Sequence, residues 1–253
     1  MAVNNYLLKS AQRKDCLLAL LPCQGGTVAN LLDPAKQVYP DFNCNPSGTS
    51  WAERNGLIKL TNINLQNNVF TAADPTNLAG ISTQINLQSN NTSKTFIART
   101  MFHKISDGKL HISPIFNQGM YAYSEAFFTF GITFRENAAG ELFFHITYSF
   151  PDQPRELFTH IVKESFLECW HTIAVVYNCD DPANSITQLF IDGQHIFDRT
   201  FSHTVWHTPS PPYDTMTLGI REDIELAYLA DNQLAWAIIF DTALSAEEIV
   251  LFK

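Results

Sequence analysis

Apolar and polar residues alternate with a period of two along much of this chain. In Ile81-Ser82-Thr83-Gln84-Ile85-Asn86-Leu87-Gln88 the apolar set is every second residue, with Thr83 the one soft position. Phe128, Phe130, Ile132 and Phe134 alternate with Thr129, Gly131 and Thr133, and Phe144, Ile146 and Tyr148 alternate with His145 and Thr147. Leu234, Trp236, Ile238 and Phe240 alternate with Ala235 and Ala237. Side chains on a strand point to opposite faces in turn, so each pattern places one face on a core and the other toward water or a second layer.

Turn chemistry separates these runs. Asn137-Ala138-Ala139-Gly140, Asp180-Asp181-Pro182-Ala183-Asn184 and Asp192-Gly193 are the clearest. Asp192-Gly193 lies between Leu189-Phe190-Ile191 and Gln194-His195-Ile196-Phe197 and predicts a two-residue hairpin. Helix signals are few: a short helix within Asn4 to Lys14, and Ser245-Ala246-Glu247-Glu248 as a capping box opening a last turn or two. Many strands with no alternating strand–helix rhythm predict an all-β, two-sheet antiparallel β-sandwich or jelly roll with short helical turns at its ends. Trp170, Ile173, Phe130, Ile132, Ile191 and Trp236 are the expected core residues.

Composition narrows the function classes. A chain of 253 residues with 45% hydrophobic residues and 19 Phe needs no disulfide or metal to hold a core. With a net charge of −9, a pI of about 5.3 and no cluster denser than the three basic residues of Lys9 to Lys14, it lacks the basic stripe of a nucleic-acid binder. Anionic membrane surfaces are disfavoured as partners for the same reason. No segment approaches the ~20 apolar residues of a membrane span, and Met1 to Ser10 does not read as a signal peptide. Synthesis in the cytoplasm is expected. Cys16, Cys23, Cys44, Cys169 and Cys179 are odd in number and include no Cys-x-x-Cys pair, so free thiols are expected.

The C-terminal half resembles a known family. Trp170-His171-Thr172-Ile173-Ala174-Val175-Val176-Tyr177, an acidic turn and Gln188-Leu189-Phe190-Ile191-Asp192-Gly193 are similar to the core hairpin of laminin-G-like jelly rolls. Thr217-Leu218-Gly219-Ile220 resembles the next strand, and Ala237 through Ile249, with its Leu244-Ser245-Ala246-Glu247-Glu248-Ile249 tail, resembles the closing strand. Leu17 to Pro22, Trp51 and Gly56 to Leu60 resemble the opening strands more loosely. The likeness covers residues 15–253 and is strongest from 165 onward, which leaves 1–14 as an N-terminal arm on one laminin-G-like domain spanning 1–253. It implies the concanavalin A-like lectin/glucanase fold, with two antiparallel sheets of six or seven strands. Similar small versions occur among tailed-phage structural proteins. That superfamily hosts hydrolases, lectins and assembly modules alike.

Catalytic patterns find little support. The hydrolases of the superfamily carry Glu-x-Asp-x-x-Glu on one strand, whereas Glu222-Asp223-Ile224-Glu225 has the wrong spacing and only Asp223 and Glu225 would share a face. His203 and His207 lie ~13 Å apart if extended, too far for one metal ion. No Gly-x-Ser-x-Gly elbow occurs, and Gly25-Gly26 precedes no phosphate-loop Lys. No cofactor is expected, with calcium the exception to test: the resemblance implies it for some members, and Asp180, Asp181, Asp223 and Asp231 are candidates by residue type.

The segment from Ser202 to Asp214 is a stiff, Pro-rich loop carrying His203, Trp206, His207 and Tyr213. Aromatics on a rigid loop give contact area at low entropy cost, as interfaces and sugar platforms both need. Pro114 to Glu125, with Met120, Tyr121 and Tyr123, is expected as a second such loop. Two readings follow. The first is a non-catalytic virion structural protein, a capsid decoration or tail/fibre component that assembles as a homo-oligomer or with other virion subunits. The second is a carbohydrate-binding, lectin-like module for cell-surface glycan.

Overall fold

The computed structural model describes residues 5–22, 28–30, 63–66, 69–72, 81–82, 87, 92–104, 110–119, 128–150, 153–181, 183–202, 216–218 and 232–253. In chain order the strands begin with β1 (Cys16–Pro22), β2 (Val28–Asn30), β3 (Ile63–Gln66), β4 (Val69–Ala72) and β5 (Ile81–Ser82). The middle of the chain gives β6 (Lys94–Phe102), β7 (His111–Gly119), β8 (Phe128–Glu136), β9 (Leu142–Phe150) and β10 (Gln153–Val162). The last third gives β11 (Trp170–Asn178), β12 (Ser185–Ile191), β13 (Gln194–Phe201), β14 (Met216–Leu218) and β15 (Asn232–Phe240). Helix α1 (Asn5–Ala11) precedes them and α2 (Ala246–Val250) follows.

Among the described residues these strands form two antiparallel sheets. One has nine strands, in the order β13-β12-β11-β6-β15-β1-β2 with β4 also pairing β15 and β3 pairing β4; the other has six, in the order β10-β9-β8-β7-β14-β5. The expected two-sheet sandwich is present. The strand numbers of six or seven per sheet become nine and six, because the short hairpin β3–β4 and the strand β2 join the first sheet.

Aromatic rings from both sheets meet between the layers. Phe96 of β6 stacks on Phe130 of β8 at 4.3 Å, and Phe102 stacks on Phe134 at 4.1 Å. Tyr148 of β9 lies 5.4 Å from Tyr177 of β11. Phe130, Ile132, Phe134, Phe144, Ile146 and Tyr148 are all buried there, as their alternation predicts. Burial drives the Tyr148 phenol pKa up, with the Thr187 hydroxyl beside it opposing that rise.

A second apolar layer lies on the far side of the nine-stranded sheet. Leu7 and Ala11 of α1 and Ile249 and Phe252 at the C-terminus cover Trp236, Ile238 and Phe240 of β15. Trp236 therefore belongs to this outer layer, while Ala237 and Ile239 face the between-sheet core. The shift has a local cause: β15 pairs with β6 through an irregularity between Leu234 and Trp236, which puts Leu234 and Trp236 against different layers. Trp170 and Ile191, expected in the core, are only partly buried, since each stands at a strand end. Residues 5–11 form helix α1, the short helix expected within Asn4 to Lys14, and it docks on this layer.

The Asp192-Gly193 hairpin forms as expected, with both residues at positive φ (51° and 76°), as a tight turn matching strand twist requires. Asp192 is held by its own side chain, whose Oδ1 accepts from the Thr172 backbone N–H and whose Oδ2 meets His171 Nδ1 at 2.7 Å. The His171 ring stacks on Phe166 at 3.8 Å. At the C-terminus the expected capping box is complete: Glu248 N–H donates to the Ser245 side chain, and the Glu248 carboxylate accepts from Ser245 N–H.

Candidate binding face

The outer side of the six-stranded sheet differs from its inner side because alternation there is imperfect. Phe143-Phe144, Leu157-Phe158 and Ile161-Val162 are adjacent apolar pairs, so one member of each must face outward. Phe144 and Phe158 take the core; Phe143, Leu157 and Ile161 take the outside.

Register gathers these residues into rows. Pro114, Thr133, His145 and Thr159 lie side by side across β7 to β10, and so do Ile112, Arg135, Phe143 and Ile161. A third row runs Asn117, Gly131, Thr147 and Leu157. Directly opposed side chains stand ~5 Å apart, so neighbouring rows form one continuous face. The Phe143 and His145 rings touch, with centroids 4.7 Å apart. Arg135 Nε donates to Thr133 Oγ1 at 3.2 Å, which orients the guanidinium along the sheet. Leu157 is 46% exposed and Ile161 71% exposed, so the β10 end of the face is open to solvent.

This arrangement sets the half-buried Phe143 ring, His145 imidazole and Arg135 guanidinium beside the exposed Thr159 hydroxyl, while Thr133 and Thr147 of the same rows are buried. An aromatic face packs against the C–H side of a sugar ring, hydroxyls and imidazole exchange hydrogen bonds with its hydroxyls, and a guanidinium forks onto a carboxylate. Neither Asp nor Glu occurs at the β8, β9 and β10 positions of the three rows, so these described residues carry no pair of carboxylates for glycosidic cleavage.

The remaining polar clusters serve the framework. Lys94 is buried, and its ammonium reaches Asp241 at 2.5 Å and Thr92 Oγ1 at 2.6 Å, tying β6 to the end of β15. Arg13 bridges Asp15 and Glu248, holding the two ends of the described chain together, and its hydrogen bonds keep the Asp15 carboxyl below the usual range. Glu168 adopts φ 58°, uncommon for a non-glycine; its carboxylate, held low against its desolvation, accepts from Lys104 N–H and meets the His103 ring. Cys169 and Cys179 are free thiols, the buried Cys16 thiol donates to the Leu18 carbonyl, and burial pushes the Cys179 thiol pKa up, away from reactivity.

Of the residues singled out from sequence, few can be placed. Asp180 and Asp181 are in their expected turn. Asp180 accepts from Ser93 Oγ at 2.9 Å, and Asp181 caps the turn through Ala183 N–H and Asn184 Nδ2, bonds that lower its pKa. The two calcium candidates within the described residues are thus engaged, Asp180 by Ser93 and Asp181 by its own turn, and no group of three or more metal-ligating side chains occurs among the described residues. Tyr121, Tyr123, His203, Trp206, His207, Tyr213, Asp223 and Asp231 lie outside the described residues, as do Glu222, Glu225, Gly25, Cys23 and Cys44. The expected Pro114 loop is corrected: Pro114 to Gly119 belong to β7, and Pro114, which has no N–H to donate, sits at an irregularity opposite Thr133. Arg135, Phe143, His145, Leu157 and Ile161 escaped the sequence reading, although the adjacent apolar pairs were a visible signal for three of them.

No protein-family model and no curated protein matches this chain. Solved structures match it by shape. The receptor-binding domain of botulinum neurotoxin D superposes with a TM-score of 0.59 at 12% identity, over 94% of this chain and 52% of that one. The serotype D ligand-binding domain in complex with N-acetylneuraminic acid gives 0.60 at 12% identity, over 97% and 52%. The serotype G binding domain gives 0.60 at 10% identity, over 93% and 50%. The fold is a lectin-like jelly roll. This chain spans about half the length of the structures it matches, and at these identities the likeness establishes architecture alone. The neighbours named here are binding domains by their own descriptions. No helix among the described residues is long and apolar enough to cross a membrane.

Proposed function

We propose that this chain is a non-catalytic, lectin-like recognition module whose six-stranded sheet takes a glycan carrying an acidic sugar at the solvent-exposed β10 end of its outer face. The observation that carries the reading is the contact pair Phe143–His145, set beside Arg135 on paired strands of that face. A ring for stacking next to a guanidinium for a carboxylate is the chemistry an acidic sugar needs. A structural neighbour in complex with N-acetylneuraminic acid supports this choice of ligand class. A screen of immobilised glycans, followed by calorimetry on the best binder, tests it. Phe143→Ala and Arg135→Ala should each weaken binding at least about tenfold, since either removes a hot-spot contact. Binding unchanged in both variants rejects the site, and absence of any glycan binding rejects the ligand class.

A second reading is a virion subunit, such as a tail or fibre component, that presents this module to a cell surface. The solvent-exposed Leu157 and Ile161 of β10 support it, because an assembly component needs apolar surface available to its neighbours. Antibodies raised against the folded chain should label purified particles at a fixed position; labelling only of unassembled protein would reject the virion role.

A further inference from the structure

Among the described residues the two sheets end on the same flank of the sandwich, at β10 and β13. Phe158 of β10 stacks on Phe201 of β13 at 5.6 Å, and His160 meets Phe197 at 6.0 Å. The two edges are unlike. The exposed positions of β13 include His195, Asp198 and Arg199, with Asp198 Oδ1 meeting the His195 ring at 2.5 Å and accepting from Gln188 Nε2 at 3.1 Å. Charged side chains along an edge strand deter pairing with another chain. On β10 the outward residues from Leu157 to Ile161 are Leu157, Thr159 and Ile161, all exposed and none charged.

We propose that β10 is a self-association edge, along which a second copy of this chain docks antiparallel and continues the six-stranded sheet across a two-fold axis at Thr159. Register supports the position of the axis. β10 pairs regularly with β9 from Glu156 to Val162, with an irregularity before Glu156, and the centre of that regular stretch is Thr159. In a two-fold antiparallel pair centred there, Leu157 faces Ile161 of the partner subunit, and Ile161 faces the partner subunit's Leu157. The two exposed apolar side chains of each copy are then covered by those of the other, which is the self-complementarity a two-fold contact requires. No other residue-centred axis within the strand opposes these two positions.

The area is adequate. A strand of 10 residues extends about 33 Å, and a sandwich with sheets ~10 Å apart is about 20 Å thick, so the flank offers roughly 650 Å² per partner. Doubled, that reaches the lower part of the ~1,200–2,000 Å² range of stable interfaces. The proposal stands apart from the glycan reading, since a self-pairing edge needs no ligand.

The test uses the intact chain in sedimentation velocity over a concentration series. Wild type should show a monomer–dimer equilibrium, and Ile161→Lys should weaken it at least about tenfold by burying an unpaired ammonium against leucine. A Thr159→Cys variant, made in a Cys169→Ser background to remove the thiol exposed among the described residues, should oxidise to a disulfide-linked dimer, because opposed residues at the axis are ~5 Å apart. Peptide mapping should find the link between the two introduced cysteines, and circular dichroism should show each variant folded. A chain that stays monomeric at every concentration overturns the proposal. A dimer that survives Ile161→Lys, or folded Thr159→Cys protein that fails to cross-link, overturns it equally.

Discussion

The outer faces of the two sheets are used in opposite ways. That of the nine-stranded sheet is apolar and roofed: α1, α2 and the C-terminal residues bury Trp236, Ile238 and Phe240, and Phe252 packs edge-on against Tyr6. That of the six-stranded sheet, across β8 to β10, keeps Phe143, His145, Leu157 and Ile161 at least partly in solvent. Both faces carry aromatic residues, so composition does not separate them. The chain's own ends do. Where the termini fold back, aromatic residues are buried and contribute stability; across β8 to β10 the Phe143 and His145 rings stay half-buried.

Substitutions on the two faces should therefore separate stability from binding. The largest effect is expected for Phe252→Ala, which opens a cavity among Tyr6, Trp236 and Phe240 and should cost about 3–5 kcal/mol in urea unfolding. The matching truncation on the open face, Phe143→Ala, should cost about 1 kcal/mol or less. Comparable losses would erase the distinction between roof and open face.

A smaller effect is expected at the ion pair that closes the roofed sheet. Lys94 is 3% exposed and Asp241 40%. Asp241→Ala strands a buried ammonium and should cost about 1–3 kcal/mol, whereas Lys94→Met, which removes the charge itself, should be nearly neutral. Equal losses in the two variants, read from the same unfolding curves, would mean that the pair acts through packing and not charge.

The two hairpin glycines sharpen the comparison further. Gly193 and Gly140 both have positive φ, so alanine is strained at either by about 1 kcal/mol. A Cβ at Gly193 would also meet Val250 Cα of α2 at 3.2 Å, whereas nothing lies within 4 Å at Gly140. Gly193→Ala should therefore lower the thermal midpoint more than Gly140→Ala. An equal shift would show that α2 yields at no cost.

The smallest effect is a pH dependence on the open flank. Desolvation lowers the His160 pKa in the folded chain, so on acidification the unfolded chain takes up a proton before the folded one. Stability from this residue is intact above its ordinary value of 6.5 and declines as pH falls through that value toward the folded one. His160→Gln should flatten the stability profile in that window; an unchanged slope would assign the pH dependence to other groups.

Much of the fold was legible in local pattern. Alternation around Phe130–Phe134 and Phe144–Tyr148, the Asp192-Gly193 turn and the Ser245 capping box each depend on a few neighbouring residues, and each forms as the pattern predicts. The candidate face was not legible in the same way. Arg135, Phe143 and Ile161 are 26 residues apart along the chain from first to last, and only the pairing of β8 with β9 and β9 with β10 sets them in one row. The second layer was equally hidden, because the β15 pattern shows that one face is apolar but not which cover it meets. By itself the sequence determined strand periodicity, turns and caps, since these follow from local sterics and hydrogen bonding. Only the tertiary structure decided which aromatic faces are roofed and which stay open, because that depends on where distant segments come to rest.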